Sequence, residues 1–343
     1  MKSKLPSLPN EKDKILVSYD LEKIISGIRN GNRQIIGKAI TLLESKKEAH
    51  KIQGSELLSE IMPEAGKAIR VGISGSPGVG KSTFIEAFGL KLISEGHRVA
   101  VLAIDPSSPI HGGSIMGDKT RMIELSANEN SFIRPSPSDG NLGGVARKTR
   151  EISIILEAAG YDIILIETVG VGQSEFICAS MVDIFMMLQL PHAGDDLQGI
   201  KRGILELADI ICINKSDGDL KLAAERTKIQ LQQTLHVARP DNNPTIFNIS
   251  SLKKIGIDNV VKEINQKHHE LTASGKLAIK RSSQAKKWFE DELDHQFLEQ
   301  LSSHSKINEI YKNMAEEVQQ GKLPGSSAAQ KLVQEIFKNL NLR

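Results

Sequence analysis

One nine-residue run carries the most specific chemistry in this sequence, Gly75-Ser76-Pro77-Gly78-Val79-Gly80-Lys81-Ser82-Thr83. It follows a β-branched strand pattern and precedes apolar residues at helical spacing, which is the context of a phosphate-binding loop. The glycines let successive backbone N–H groups face one point, and the following helix adds its positive end. We expect Lys81 to reach the β- and γ-phosphates and Ser82 to ligate Mg²⁺. An ordinary glycine-rich turn is the alternative, but the complete G-x-x-x-x-G-K-S pattern argues against it.

A second motif, Asn214-Lys215-Ser216-Asp217, ends another apolar strand pattern and has the N-K-x-D form of a guanine-reading site. The Asp217 carboxylate would accept hydrogen bonds from guanine N1–H and the 2-amino group, whereas adenine would leave that charge unpaired. An exposed Asx turn is the alternative for these four residues taken alone. A candidate second guanine contact, through backbone N–H groups, follows the last predicted strand and comprises Ser250, Ser251, Leu252 and Lys253.

Two acids follow neighbouring strand patterns and are candidates for a metal site. Asp105 comes after the strand Val99–Ile104, and Glu167 comes after Ile163–Ile166. Adjacent parallel strands end at one edge, so both acids should lie beside the phosphate loop, where Mg²⁺ takes a few carboxylates and several waters. Gly170 would bring its backbone N–H to the γ-phosphate as a nucleotide sensor. Capping of a helix is the alternative for Asp105.

The composition is that of a globular protein, with 39% hydrophobic and 25% charged residues among 343. A net charge of +2 gives no reason to expect nucleic acid or an anionic membrane as a partner. Cys178 and Cys212 lie among apolar residues, which fits a reducing compartment and two core positions. We see no signal-peptide pattern and no run of ~20 apolar residues, so we expect a cytoplasmic protein.

The pattern along the chain predicts four regions. Residues 1–19 are expected to form a flexible tail, 20–66 a helical segment, 67–274 a P-loop GTPase core and 275–343 a C-terminal helical extension. The core alternates strand and helix, which predicts an α/β P-loop NTPase with a doubly wound, mainly parallel sheet. The extension is apolar enough to dock either on its own core or on a second copy, and a homodimer is our working hypothesis.

The individual elements are predicted from periodicity and capping signals. The predicted strands are Arg70–Ser74, Arg98–Ile104, Phe132–Arg134, Ile163–Thr168, Ile184–Leu190, Ile210–Asn214 and Thr245–Ile249. The predicted core helices are Ser82–Ile93, Val145–Ala159, Gly199–Leu207 and Leu220–His236. Three amphipathic helices precede the core, one capped by Asp20, one carrying Ile35 to Leu43, and one near Glu56 to Ile61. Two further helices, Gln284–Leu301 and Ala328–Leu340, follow it.

Several longer runs resemble the MeaB/MMAA-type GTPases, which are chaperones of adenosylcobalamin-dependent acyl-CoA mutases, chiefly methylmalonyl-CoA mutase. The runs are Gly75–Thr83, Asp105 to Pro109, Gly112 to Arg121, Glu167 to Glu175, Gly194 to Lys201 and Asn214 to Asp217. The resemblance extends from about Leu21 to at least Trp288. Its G-D-K-T-R and E-T-V-G-V-G-Q-S-E stretches are far more specific than a phosphate loop. The resemblance implies GTP/GDP and Mg²⁺ as cofactors and such a mutase as partner.

The same resemblance implies roles for particular residues. Asp105, Asp118 and Glu167 match the family's Mg²⁺ and switch acids. Gln198 and Lys201, in the loop Asp195 to Arg202, match positions implicated in activating hydrolysis. His111 and His192 stand where smaller residues are common in the family, and exposed, solvated histidines are the simpler interpretation.

Val171 follows Gly170, so the glutamine that positions water in Ras-like proteins is absent from its usual place. We therefore expect slow hydrolysis, which a partner accelerates by moving the Gln198 and Lys201 loop onto the phosphates. The catalytic assignment is Lys81, Asp105, Gln198 and Lys201.

Two other classes of function are alternatives. A nickel-delivery GTPase of hydrogenase or urease maturation is disfavoured by nine scattered histidines, and a small-molecule kinase is disfavoured by the guanine-reading motif.

Overall fold

The computed structural model describes residues 20–104, 122–135, 142–168, 170, 173–191, 202–238 and 243–339. The tail predicted over residues 1–19 lies outside this part of the chain. The strands are β1 Ile69–Gly75, β2 Val99–Ile104, β3 Ser131–Pro135, β4 Ile163–Thr168, β5 Ile184–Gln189, β6 Ile210–Ile213 and β7 Thr245–Asn248. They form one sheet in the order β3-β2-β4-β1-β5-β6-β7, with every neighbouring pair parallel.

This sheet confirms the predicted fold class, and each predicted strand agrees with an observed one to within a residue at either end. All six residues of β4 are buried, as are all six of β5. Helices cover both faces of such a sheet, so its inner strands have near-continuous apolar runs and are easy to locate in a sequence. The strand β1 lies between β4 and β5, which places the loop after it at the centre of the carboxyl edge.

The helices connect and flank these strands. Those up to β5 are α1 Leu21–Arg29, α2 Arg33–Glu44, α3 Glu48–Ile61, α4 Lys81–Ser94, α5 Ile123–Ala127, α6 Leu142–Ala158 and α7 Gln173–Ala179. Those after β5 are α8 Arg202–Leu205, α9 Lys221–Ala238, α10 Ile257–Ala273, α11 Lys276–Ser303, α12 Ser305–Gln319 and α13 Gly325–Asn339. Within the described residues, no helix combines the length and the apolar composition needed to cross a membrane.

The first of the three amino-terminal helices begins at its predicted cap. The Asp20 side chain accepts the backbone N–H of Lys23 at 3.2 Å and begins α1. Asn32 begins α2 in the same way, accepting from Gln34 and Ile35 at 3.1 and 3.2 Å. These helices pack on one another and on α6 of the nucleotide core. The amphipathic segment therefore buries its apolar face against its own core.

Several helices differ from the sequence prediction. The third helix begins at Glu48 rather than near Glu56, and α11 extends from Lys276 to Ser303. The helices α5, α7, α10 and α12 were not predicted. In α10 only one narrow face is buried, because polar residues occupy the rest of the helix. The buried residues are Ile257, Val260, Val261 and Ile264. Such a narrow stripe is a weak periodic signal in a sequence.

The chain divides into two compact units, one ending at Arg281 and one covering residues 282–343. In the second unit α12 packs against α13, and the buried side chains there include Ile307 and Ile336. In the first unit both cysteines are fully buried. Burial raises the pKa of the Cys178 and Cys212 thiols far above the ordinary range, as expected for inert core positions.

Four charged side chains form a network where β1 and β5 begin, at the sheet edge opposite the phosphate-binding loop. Asp183 accepts hydrogen bonds from Arg281 Nε at 2.8 Å and Nη2 at 2.6 Å, and from the Arg70 backbone N–H at 2.8 Å. Glu157 accepts from Arg70 Nε at 2.7 Å. Both carboxylates are almost completely buried, so each depends on its arginine for neutralisation.

Two of these residues, Glu157 and Arg281, also hold the backbone that enters β1. Glu157 accepts the N–H groups of Gly66, Lys67 and Ala68, the latter two at 3.0 and 3.4 Å. Arg281 donates to the carbonyls of Gly66 and Ala68. The first residues of α11 are thereby attached to the chain that enters the central strand.

Replacing Arg281 with methionine should lower the free energy of unfolding by about 3–5 kcal/mol, because it leaves the Asp183 carboxylate buried without its cation. Denaturant unfolding followed by circular dichroism measures this change. Arg29→Met is the control, since the Arg29–Glu64 pair is partly exposed and should contribute much less. Equal losses in the two variants would contradict a structural role for the buried pair.

Candidate active site

The phosphate-binding loop lies between β1 and α4, as predicted. Gly80 has φ +97 at the start of α4, a left-handed conformation that glycine adopts without strain. A Cβ at this position would lie 2.7 Å from Asn214 Nδ2, so only glycine permits the close approach of that amide. Ser76, Pro77 and Gly78 are exposed at the tip of the loop, whereas Val79 is buried beneath it.

The Asn214 side chain joins the phosphate-binding loop to the turn after β7. Its Nδ2 donates to the Val79 carbonyl at 2.8 Å. Its Oδ1 accepts from Ser251 twice, from the backbone N–H at 3.0 Å and from Oγ at 2.8 Å. Since only 2% of Asn214 is exposed, we infer that it positions the two loops. The N-K-x-D pattern signalled the residue, but only the fold shows these partners.

Lys215 forms a second connection between the motif and the loop. Its backbone has φ +59, and its Nζ donates to the Gly78 carbonyl at 2.9 Å. The structure thus brings together the predicted base-reading and phosphate-binding segments, which are separated by more than a hundred residues in the sequence.

Asp217 and the predicted second contact face each other. Asp217 Oδ2 pairs with Lys253 Nζ at 2.8 Å. Hydrogen bonds from Lys253 and Ser250 lower the pKa of Asp217 below its usual value, so this carboxylate is ionised at neutral pH. Ser251 is buried, whereas Leu252 is exposed. Of the predicted contact residues, Lys253 and Ser250 therefore have side chains that engage the Asp217 carboxylate.

The Lys81 ammonium lies within the phosphate-binding loop and is largely buried. It donates to the carbonyls of Gly75 at 2.8 Å and Ser76 at 3.3 Å. Burial lowers the pKa of Lys81, while the negative charges of Glu167 and Glu175 oppose that shift. These two hydrogen bonds place Lys81 Nζ within the loop.

Gly170 lies directly against this loop. Its φ is +86, and a Cβ there would overlap the Gly75 carbonyl and lie 3.3 Å from Lys81 Nζ. Any side chain would separate the two segments. The structure thus places the Gly170 backbone beside the phosphate-binding loop.

Glu167 occupies the end of β4 beside β1, where it is paired in register with Ile73. The next residue, Thr168, donates from Oγ1 to Ser74 Oγ at 3.0 Å, and both hydroxyls are buried. Ser82 lies half-buried at the start of α4. A hydroxyl and a carboxylate near one loop are hard oxygen donors of the kind that Mg²⁺ prefers.

Other predicted site residues lie outside the described part of the chain. They are Asp105, Asp118, Gln198 and Lys201, together with His111 and His192. By chain order, Asp105 directly follows β2, and Gln198 and Lys201 fall between β5 and α8.

Glu175 is a buried acid that the residue-by-residue prediction did not assign. It is only 2% exposed on α7, where its Oε2 accepts from Ser174 Oγ at 3.3 Å. Its negative charge opposes the lowering of the Lys81 pKa by burial. The available sequence signal was an acid at the start of a short apolar helix, which normally indicates a favourable interaction with the helix dipole.

Relatives of known sequence or structure share nearly the whole chain. "GTPase ArgK" of Escherichia coli K12 is 45% identical, covering 85% of this chain and 89% of the relative. The "methylmalonic aciduria type A homolog, mitochondrial" of Mus musculus is 44% identical, covering 93% and 80% respectively. A crystal structure of "LAO/AO transport system kinase" is 36% identical, with a TM-score of 0.73 and coverage of 96% and 99%.

The comparison with whole families agrees with these individual matches. The family described as "Methylmalonyl Co-A mutase-associated GTPase MeaB" matches residues 36–306, which includes the phosphate-binding loop, the N-K-x-D motif and the turn after β7. The enzyme is therefore a GTPase of the P-loop class, and the resemblance first seen in the sequence motifs is confirmed. The chain belongs to the MeaB family of GTPases.

Proposed function

We propose that this GTPase is a molecular switch and chaperone for an adenosylcobalamin-dependent acyl-CoA mutase, with methylmalonyl-CoA mutase as the client. In this proposal its nucleotide state gates cofactor loading, protection or reactivation of the mutase. The description of the family and the name of the mouse relative support this choice of partner. A cytoplasmic location completes the proposal and agrees with the two buried, unpaired cysteines.

The proposal that this site binds a nucleotide rests on the Asn214 amide, which hydrogen-bonds to both the phosphate-binding loop and the turn after β7. The loop Gly75 to Thr83 would bind the phosphates, and Lys81 would neutralise charge that develops on the γ-phosphate. Asp217 would read guanine, with Ser251, Leu252 and Lys253 beside it. These positions would together contact the nucleotide from the base to the γ-phosphate.

Mg²⁺ would be held by Ser82 and Glu167, with Asp105 and Asp118 as the further acids of the site. When bound, the ion would neutralise phosphate charge and orient the terminal phosphate. The chain itself keeps Glu167 close to the loop through the pairing of β4 with β1. Thr168 supports that position through its hydrogen bond to Ser74.

Hydrolysis would be slow without the partner, because Val171 replaces the glutamine of Ras-like proteins. We propose that the mutase moves Gln198 and Lys201 toward the γ-phosphate and so completes the site. Gly170, already against the Gly75 carbonyl, would report the γ-phosphate to the segment that follows it.

A small-molecule kinase is the second candidate, because the printed title of one related structure names a transport system kinase. The two functions differ in their products. A GTPase releases GDP and inorganic phosphate in equal amounts, whereas a kinase transfers the phosphate to an acceptor. Product analysis by phosphate assay and mass spectrometry therefore separates them.

Lys201→Ala should abolish most of the stimulation of GTP hydrolysis by purified methylmalonyl-CoA mutase, because the cation brought to the γ-phosphate is lost. Phosphate release is measured with and without the mutase. Lys38→Ala, on the exposed side of α2, removes the same charge elsewhere and should keep the stimulation. A stimulated rate in Lys201→Ala equal to that of the unmodified protein would show that the assignment is wrong.

Asn214→Ala should weaken GDP binding by roughly ten- to hundredfold, because it leaves the buried Val79 carbonyl and Ser251 groups without their partner. Calorimetry gives the dissociation constant. Asn248→Ala is a matched control at the end of β7, since its amide donates to the Glu225 carboxylate rather than to the phosphate-binding loop. Similar effects of the two substitutions would contradict the proposed positioning role.

We also propose that the carboxyl-terminal helices form a homodimer interface. Phe289, Leu293 and Phe297 recur every fourth residue on α11, and more than half of each side chain is exposed. Leu293→Asp with Phe297→Asp should convert a dimer into a monomer in light scattering, while Lys286→Asp on the same helix should leave it dimeric. A monomeric unmodified protein would contradict the proposal.

A further inference from the structure

The carboxylate proposed to read guanine already has a cation on it from the same chain. Lys253 Nζ lies 2.8 Å from Asp217 Oδ2. The Lys253 side chain is 55% exposed, whereas that of Asp217 is 22% exposed. An ammonium that approaches from solvent therefore covers one of the two oxygens that guanine would use.

The turn that carries Lys253 is firmly held. Ser250 and Ile255 exchange two backbone hydrogen bonds, both at 3.0 Å, and close the turn. The Lys253 backbone N–H donates to Ser250 Oγ at 3.3 Å. Ser251, at the base of the turn, is held by Asn214. The backbone of the turn is therefore fixed by hydrogen bonds, whereas the exposed Lys253 side chain can move into solvent.

Guanine and the ammonium require the same acceptor. Guanine presents N1–H and its 2-amino group side by side, and a carboxylate accepts both only by using one oxygen for each. Asp217 Oδ2 is the oxygen that Lys253 occupies. Because the ammonium already neutralises part of the carboxylate charge and takes up part of the acceptor capacity of Oδ2, it competes with guanine there, whereas a base without these two donors leaves the ion pair intact.

We propose that Lys253 is an internal competitor for the guanine-reading carboxylate, so that it sets both the affinity for guanine nucleotides and the discrimination against adenine. This inference rests on the proposed role of Asp217. While Lys253 occupies Asp217, a bound adenine nucleotide leaves no uncompensated charge. Without the ammonium, the same nucleotide faces a bare carboxylate, and discrimination increases.

Lys253→Met tests the proposal because it keeps the stem and removes the charge. Dissociation constants of the full-length protein for GDP and ADP are measured by calorimetry at low and high salt. GDP should bind to Lys253→Met about two- to fivefold more tightly than to the unmodified protein, because a competing ion pair that is largely exposed contributes only a small energy. The ratio of ADP to GDP dissociation constants should rise, and the gain for GDP should shrink at high salt.

Lys254→Met is the matched control. The neighbouring lysine is exposed, carries the same charge and lies 3.9 Å from Glu124 instead of Asp217. Its removal should leave GDP affinity unchanged or slightly weaker, because a cation is lost near a nucleotide anion. Weaker GDP binding in Lys253→Met, or an effect equal to that of Lys254→Met, would overturn the proposal.

Asp217→Asn separates this inference from the proposed function. If this variant retains the preference for GDP over ADP, Asp217 does not read the base, and the base-reading assignment fails together with the inference. If the preference is lost while Lys253→Met does not tighten GDP binding, only the inference fails. If the base-reading role of Asp217 and the competing role of Lys253 are both correct, the double variant Asp217→Asn with Lys253→Met should bind GDP no more tightly than Asp217→Asn alone.

Discussion

The buried amide of Asn214 is the interaction on which the nucleotide site depends. It satisfies the Val79 carbonyl in the phosphate-binding loop and both donors of Ser251 in the turn after β7. A buried amide with these partners cannot shift without leaving polar groups unpaired. The two ends of the site are therefore held in a fixed relation before any nucleotide contact is considered.

The parallel sheet makes this arrangement possible. Because β1, β4, β5 and β6 run in one direction, their carboxyl ends bring Gly75, Glu167 and Asn214 to a single edge. At the opposite edge, the side chains of Arg281 and Glu157 hydrogen-bond to the backbone of the chain that enters β1. The central strand is thus fixed at its start by buried charges and carries the phosphate-binding loop at its end.

The sequence predicted the strands far better than the helices. Buried parallel strands such as β4 have a short, nearly continuous apolar run that favours a strand. The helix α10 buries only a narrow face among lysines, histidines and glutamates, and its packing on α4 decides its conformation. The short helix α7 follows a glycine-rich motif, and although Glu175 ends the E-T-V-G-V-G-Q-S-E run, only the fold shows that it is buried.

By itself, the sequence determined the fold class, the phosphate-binding loop, the N-K-x-D motif and the family, because each rests on residue type at fixed local spacing. Tertiary structure alone decided the partners of these residues. It assigned Asn214 to hold two loops, placed Gly170 against Gly75 and set Lys253 on the Asp217 carboxylate. The reason is physical: these contacts join segments distant in sequence, and only the packing of parallel strands brings them within hydrogen-bonding distance.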